Sequence, residues 1–176
     1  MDQQQQRQLI EAAIDSHAQP MFRVAYRWCG NRQLAEEIVQ ETWIGAWKNL
    51  PQLHDTSRLK PWLFGILRNQ FYKAINKAKR SPRLEPLAAD DFCAGESNSA
   101  IDETVQQALI MLAEEQRLPI LLVSMEGWST EEAAQWLGVP KGTLLSRLHR
   151  GRQRLKEILT RELELETKLE SDLPLE

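Results

Sequence analysis

The chain has 176 residues, 42% apolar and 27% charged, with a formal net charge of −3. This is ordinary globular composition, enough for one domain or two small ones, and it excludes a fibrous or low-complexity chain. No apolar run approaches the roughly 20 residues of a membrane span, and the polar, Gln-rich start from Met1 to Gln8 reads as no signal peptide, so a cytoplasmic protein without membrane insertion is expected. Gly and Pro are sparse and β-branched runs nearly absent, so the expected class is all-α, as two small helical domains joined by a flexible acidic linker.

The first domain is expected over 7–80. A helix starts near Arg7 and carries Leu9, Ile10, Ile14, Met21, Phe22, Ala25 and Tyr26, with Pro20 placed to break or kink it. Gly30 and Asn31 read as a stop followed by a cap. A second helix runs from Arg32 to about Leu50 with Leu34, Ile38, Trp43, Ala46, Trp47 and Leu50 as its apolar set. Glu36, Glu37, Gln40 and Glu41 share its polar surface. An acidic helix flanked by Trp43 and Trp47 suits protein docking. On the residues alone, the favoured reading makes both Trp residues core and the acids merely solvated. Pro51 to Lys60 reads as a loop. A third helix runs from near Pro61 to about Lys79 with Trp62, Leu63, Ile66, Leu67, Phe71 and Ile75.

The small net charge conceals blocks. Residues 68–83 hold six basic side chains and no acid, and residues 85–103 hold six acids and no base. Pro82, Pro86, Gly95, Ser97, Asn98 and Ser99 interrupt any helical period, so 81–100 reads as the linker. The second domain, 101–160, begins with helices at about 102–113 and 115–125, whose core is Val105, Leu109, Leu112, Leu118, Ile120, Leu121 and Val123.

Residues 129–156 predict a helix, a tight turn and a second helix. Ser129 and Glu132 form a capping box. Ala133, Ala134 and Leu137 face inward, Gly138 suits a left-handed C′ position, and Pro140 suits the first turn of the next helix. This is a helix-turn-helix pattern. Its second helix carries six Lys or Arg from Lys141 to Lys156, plus His149, and no acid. Such a helix calls for an anionic partner, most commonly nucleic acid. The N-terminal residues of a recognition helix meet base edges, which nominates Lys141, Thr143, Leu144, Ser146 and Arg147 for the groove floor and Arg150 and Arg154 for phosphates. The alternative is a helical hairpin with a solvated basic face. The tail, 161–176, is acidic, and masking of the basic helix by that tail is one expectation.

Cys29 and Cys93 have no zinc spacing, and His17, His54 and His149 are scattered. No Gly-rich phosphate loop or Ser/His/Asp arrangement is present. No cofactor, metal or catalytic centre is therefore expected. Cys29 reads as a buried small hydrophobe, with a redox switch as the alternative.

Three motifs in order carry a resemblance. Ala35-Glu36-Glu37-Ile38-Val39-Gln40-Glu41-Thr42-Trp43-Ile44-Gly45-Ala46-Trp47-Lys48, Trp62-Leu63-Phe64-Gly65-Ile66-Leu67-Arg68-Asn69 and Gly142-Thr143-Leu144-Leu145-Ser146-Arg147-Leu148-His149-Arg150 resemble the sigma-70 family of bacterial transcription initiation factors, specifically the small extracytoplasmic-function group. The first looks like region 2.2, the second like the approach to region 2.4 and the third like the region 4.2 recognition helix. The resemblance covers nearly all of 15–158 and implies roles. Glu37, Gln40 and Glu41, with Trp43 and Trp47, fall where members bind core RNA polymerase, which reverses the solvated reading of that polar face. His54, Arg58, Asn69, Lys73 and Lys77 fall where members bind and open the minus-ten element of promoter DNA. The helix from Lys141 to Arg154 falls where members read the minus-thirty-five element, and the linker where members thread a connector through the polymerase. An anti-sigma factor is an implied further partner.

The chain departs from the family pattern at several points. Glu37 stands for a usual Asp, Ala113 for a frequent Pro, Leu144 for a common Val and Gly151 for a common Ala. Gly151 lowers helix propensity and would permit close packing. Two competing functions are a free-standing helix-turn-helix repressor and a sigma-like protein that titrates an anti-sigma factor. The first has no use for the acidic Trp helix, and the second would be expected to lose the recognition-helix basic residues, which are retained here.

Overall fold

The computed structural model describes residues 3–80 and 100–171, with backbone only at 78–80, 100–101, 163 and 165–171. The linker expected over 81–100 falls outside these residues up to position 99, as does Cys93. The described chain is all-α and divides into two compact units.

The first unit holds α1 (Gln3–Cys29), α2 (Arg32–Asn49) and α3 (Leu59–Arg80), each packed on the other two. Its core is Met21, Val24, Ala25 and Trp28 from α1, Ala35, Ile38, Ala46 and Leu50 from the second helical stretch, and Leu63, Phe64, Leu67 and Phe71 from α3. Trp28 stacks on Phe71 with ring centroids 3.7 Å apart. Small residues bring α2 and α3 close: a Cβ on Gly45 would lie 3.2 Å from Ile66 Cγ2. Buried Thr42 donates its hydroxyl hydrogen bond to Ile38 O at 2.7 Å, so no polar group is stranded there.

Of the two outcomes expected at Pro20, a break does not occur: α1 runs through it. Pro20 withholds a donor from the Ser16 carbonyl. Burial of Met21, Val24, Ala25 and Trp28 directly after it holds the helix together across that gap. The stop and cap at its end fall as expected. Gly30 has φ 73°, and the Asn31 side chain accepts from Leu34 N at 2.8 Å.

The second unit holds α4 (Ala100–Ile110), α5 (Glu114–Pro119), α6 (Thr130–Leu137) and α7 (Lys141–Ser171). α7 is its spine and packs on the other three. The core is Leu109, Leu112, Leu118, Ile120, Leu121, Leu122, Trp128, Ala133, Trp136, Leu144, Leu148 and Ile158. Trp128 and Trp136 meet edge to face, with centroids 6.0 Å apart. Arg117 ties α5 back to α4 by donating from Nη2 to the carbonyls of Ile110 (2.6 Å) and Leu112 (2.8 Å). These are carbonyls at a helix end that lack intrahelical partners.

The helix expected at 115–125 is not uniform. After Pro119 the chain passes into a π-helical turn, Ile120–Met125. Pro119 brings no N–H to the ladder, and the register beyond it widens, with Glu126 N bonded to Leu121 O at 3.1 Å. This rotates Leu122 into the core and leaves Val123, expected there, only half-buried.

Candidate nucleic-acid interface

The turn between α6 and α7 is built from local hydrogen bonds. Ser129 Oγ accepts from Glu132 N at 3.1 Å, and Glu132 Oε2 accepts from Ser129 N at 2.9 Å. At the other end of α6, Gly138 takes φ 68°, ψ 33°. Its N–H donates to Gln135 O at 3.2 Å, and the Val139 N–H donates to Ala134 O at 3.0 Å. That pair of bonds is a Schellman motif. Pro140 lies just ahead of α7, and its carbonyl accepts from Leu144 N at 3.0 Å.

The inner stripe of α7 is Leu144, Leu148, Gly151 and Ile158, all buried. Gly151 is where the chain needs no side chain: a Cβ there would lie 3.0 Å from Gln116 O and 3.0 Å from Ile120 Cδ1. The close packing expected at this glycine is the α5–α7 contact. The opposite side of α7 presents Lys141, Gly142, Leu145, Ser146, His149, Arg150 and Gln153 to solvent, with half-buried Thr143 and exposed Arg154 along one margin.

Two of the groove-floor nominations change. Leu144 is 0% exposed and lies in the core, so it does not reach a base edge; the exposed leucine is its neighbour Leu145, at 44%. Arg147 sits on the flank, half-buried, with Nη2 3.4 Å from Glu115 Oε2. Lys141 is on the exposed side and paired with Glu131 of α6. That ammonium, hydrogen-bonded to the carboxylate, is the main reason the Glu131 pKa falls to about 2. Arg150 donates to Ser146 O at 3.3 Å, which lays its guanidinium along the outer surface of the helix.

The expected masking by the acidic tail is not seen among the described residues. α7 continues unbroken to Ser171. Residues 161–171 therefore run on along the helix axis rather than folding back over Lys141 to Arg150.

In the first unit, Glu37, Gln40 and Glu41 are exposed on one stripe of α2. Trp47 shares that stripe and is 50% exposed, as does Ile44, which the sequence reading passed over. Trp43 lies at the margin, half-buried. The core reading of the two Trp residues therefore fails for Trp47. Glu36 is held by Arg32 at 2.9 Å.

His54 and Arg58 are exposed between α2 and α3. Two short 3-10 turns, Leu50–Gln52 and Thr56–Arg58, shape this segment, which lies in the loop expected from Pro51 to Lys60. Asp55 accepts from Ser57 N at 3.0 Å and from Ser57 Oγ at 2.6 Å, bonds that hold its pKa below the ordinary value. Asn69, Lys73 and Lys77 form one exposed line on α3. Arg58 lies about 16 Å from Asn69 along the helix, so the two sets are consecutive stations rather than one cluster. Tyr72, which the sequence reading did not single out, stands in this line, 42% exposed and edge-on to Trp28 at 5.8 Å. Its spacing of three from Asn69 was the available signal.

The family model for Sigma-70 region 2 matches residues 13–81, and that for Sigma-70 region 4 matches residues 102–155. The ECF RNA polymerase sigma factor SigL of Mycobacterium tuberculosis is 35% identical over 151 residues, 80% of this chain and 83% of that protein. The chain belongs to the ECF RNA polymerase sigma factors.

The region 2 match of this sigma factor spans most of α1 through α3, and the region 4 match spans α4 to the middle of α7. ECF sigma factor SigE of Mycolicibacterium smegmatis is 34% identical over 157 residues, 84% of this chain, which in turn spans 60% of SigE. Among solved structures, the sigma factor RpoE of Bartonella quintana, in complex with the anti-sigma factor NepR, matches with TM-score 0.75 at 30% identity, covering 85% of this chain and 96% of that one. Among the described residues of the sigma factor, no group of His, Cys, Asp or Glu is placed to hold a metal, and no helix is long and apolar enough to cross a membrane.

Proposed function

We propose that this sigma factor directs core RNA polymerase to specific promoters and assists strand opening, through three surfaces on its two domains. The domains run from 7–80 and 101–160, with 81–100 as the connector. The α2 stripe of Glu37, Gln40, Glu41, Ile44 and Trp47, with Trp43 at its edge, docks on core polymerase. An exposed aromatic beside an exposed aliphatic, rimmed by carboxylates, has the make-up of an interface centre. His54 and Arg58, then Asn69, Tyr72, Lys73 and Lys77, bind the minus-ten element. Base extraction costs a few kcal/mol, and stacking on an aromatic with phosphate attraction offsets it.

The outer side of α7 reads the minus-thirty-five element. Lys141, Ser146 and Leu145 face base edges, Thr143 borders them, and Arg147, Arg150 and Arg154 approach phosphates. The observation that carries the reading is this exposed basic side of α7, free of acids from Lys141 to Lys156, on the second helix of a helix-turn-helix. The protein supplies specificity rather than covalent chemistry and acts in the cytoplasm, where the polymerase is. The structure of RpoE with NepR supports an anti-sigma factor as a further partner.

The test is run-off transcription with core polymerase and a promoter library, with and without the Glu37→Lys, Glu41→Lys pair. Core-dependent transcripts that disappear in the double variant support the reading. A protein that binds DNA alone, with polymerase neither binding it nor responding, overturns it in favour of a repressor.

A further inference from the structure

Leu145 is a large apolar side chain, 44% exposed, on the polar side of α7. It stands in the second turn of the helix, within the N-terminal stretch that meets base edges in a helix-turn-helix. Its neighbours one turn away are Lys141 and Gly142 on one side and His149 on the other, all exposed. Gly142 has no side chain, and a Cβ built there would meet nothing within 4 Å. The surface beside Leu145 is therefore open on the side toward the helix start. Lys141, His149 and Arg150 make the surroundings attractive to a polyanion.

An isobutyl group pressed against most base edges gains nothing. Beside the N4 amino group of cytosine or the N6 amino group of adenine, it would cover a donor without replacing the hydrogen bond lost to water. The one apolar substituent that unmodified bases present in the major groove is the C5-methyl group of thymine. We infer that Leu145 reads the methyl group of one thymine in the minus-thirty-five element. This rests on the proposal that α7 occupies the major groove there, and it adds a specificity determinant that polar readout by Lys141 and Ser146 would not supply.

The experiment uses the full chain bound to core polymerase and the promoter fragment recovered from the library. Each thymine of the minus-thirty-five element, on either strand, is replaced in turn by deoxyuridine, which keeps every hydrogen-bonding group and removes only the methyl. At one position uracil is expected to weaken binding about fourfold, the worth of one buried methyl. Leu145→Ala is expected to bind thymine and uracil equally at that position and to respond as the parent does at the others. If the element is protected from cleavage but no uracil effect depends on Leu145, or if no thymine faces α7, the inference falls while the groove reading stands. If holoenzyme leaves the minus-thirty-five element unprotected, the groove reading falls, and this inference with it.

Discussion

Leu144 and Leu145 are adjacent in the chain and about 100° apart around α7, which leaves one 0% and the other 44% exposed. The first packs under the helix-turn-helix and the second faces solvent. Leu144→Ala is expected to destabilise the C-terminal unit by about 2–5 kcal/mol, the range for a buried leucine. Leu145→Ala is expected to stay within about 0.5 kcal/mol of the parent. Urea unfolding followed by hydrogen exchange of the C-terminal unit's amides measures both. Equal losses would mean that the helix is rotated about its axis.

Gly151 offers a second comparison. Alanine raises helix propensity by about 1 kcal/mol, but its Cβ at 3.0 Å from the Gln116 carbonyl must push α5 away. Overpacking costs about 1–3 kcal/mol, so Gly151→Ala is expected to lose about 1 kcal/mol net. Gly65, inside α3 with nothing within 4 Å of the added atom, is expected to gain about 0.5–1 kcal/mol from the same change. A thermal melt of each variant decides, and a gain at both positions would show that α5 yields freely.

Glu131 is held at about 2, below its ordinary 4.5, chiefly by its hydrogen bond from Lys141. A depressed carboxylate contributes stability that is complete above its unfolded pKa and vanishes as pH falls through the folded one. Between about pH 4.5 and about 2, the C-terminal unit is therefore expected to lose stability more steeply than in Glu131→Gln. Both side chains are more than half exposed, so salt screens the pair and its effect is small. Acid titrations of the two proteins at low and high salt check this. The same substitution releases the Lys141 ammonium for the DNA groove and is expected to tighten DNA binding about twofold.

Tyr72 is expected to act by its ring. Loss of one base-stacking partner costs about 1–3 kcal/mol, so Tyr72→Ala is expected to weaken binding of the single-stranded minus-ten strand by holoenzyme roughly 5- to 150-fold. Tyr72→Phe is expected to keep most of it. A fluorescent oligonucleotide titration reads both. Equal effects from the two changes would assign the hydroxyl, not the ring. Tyr72 also meets Trp28 and Phe71 edge-on, at 5.8 and 5.7 Å, so an unchanged thermal melt of each variant is needed to assign the loss to stacking on DNA.

Much of this protein is written in short-range sequence. The Ser129–Glu132 box, the Gly138 turn and the Asn31 cap each close through hydrogen bonds spanning five residues or fewer. Local chemistry alone therefore fixes them, and the motifs they frame were enough to indicate the family. The side of α7 that faces inward was not legible. Leu148 lies four residues from Leu144 and three from Leu145, and both spacings suit one helical stripe. Identical side chains gave the sequence no way to choose. The choice fell to α5, whose close approach at Gly151 turns Leu144 and Leu148 inward on the same side and leaves Leu145 facing out. Pro20 and Pro119 show the same division. Each removes one backbone donor, which the sequence reveals, but whether the chain breaks, runs on or widens to a π turn depends on the apolar area buried just beyond it. At Pro20 the buried run from Met21 to Trp28 carries the helix through, and at Pro119 burial of Ile120, Leu121 and Leu122 accompanies the wider register.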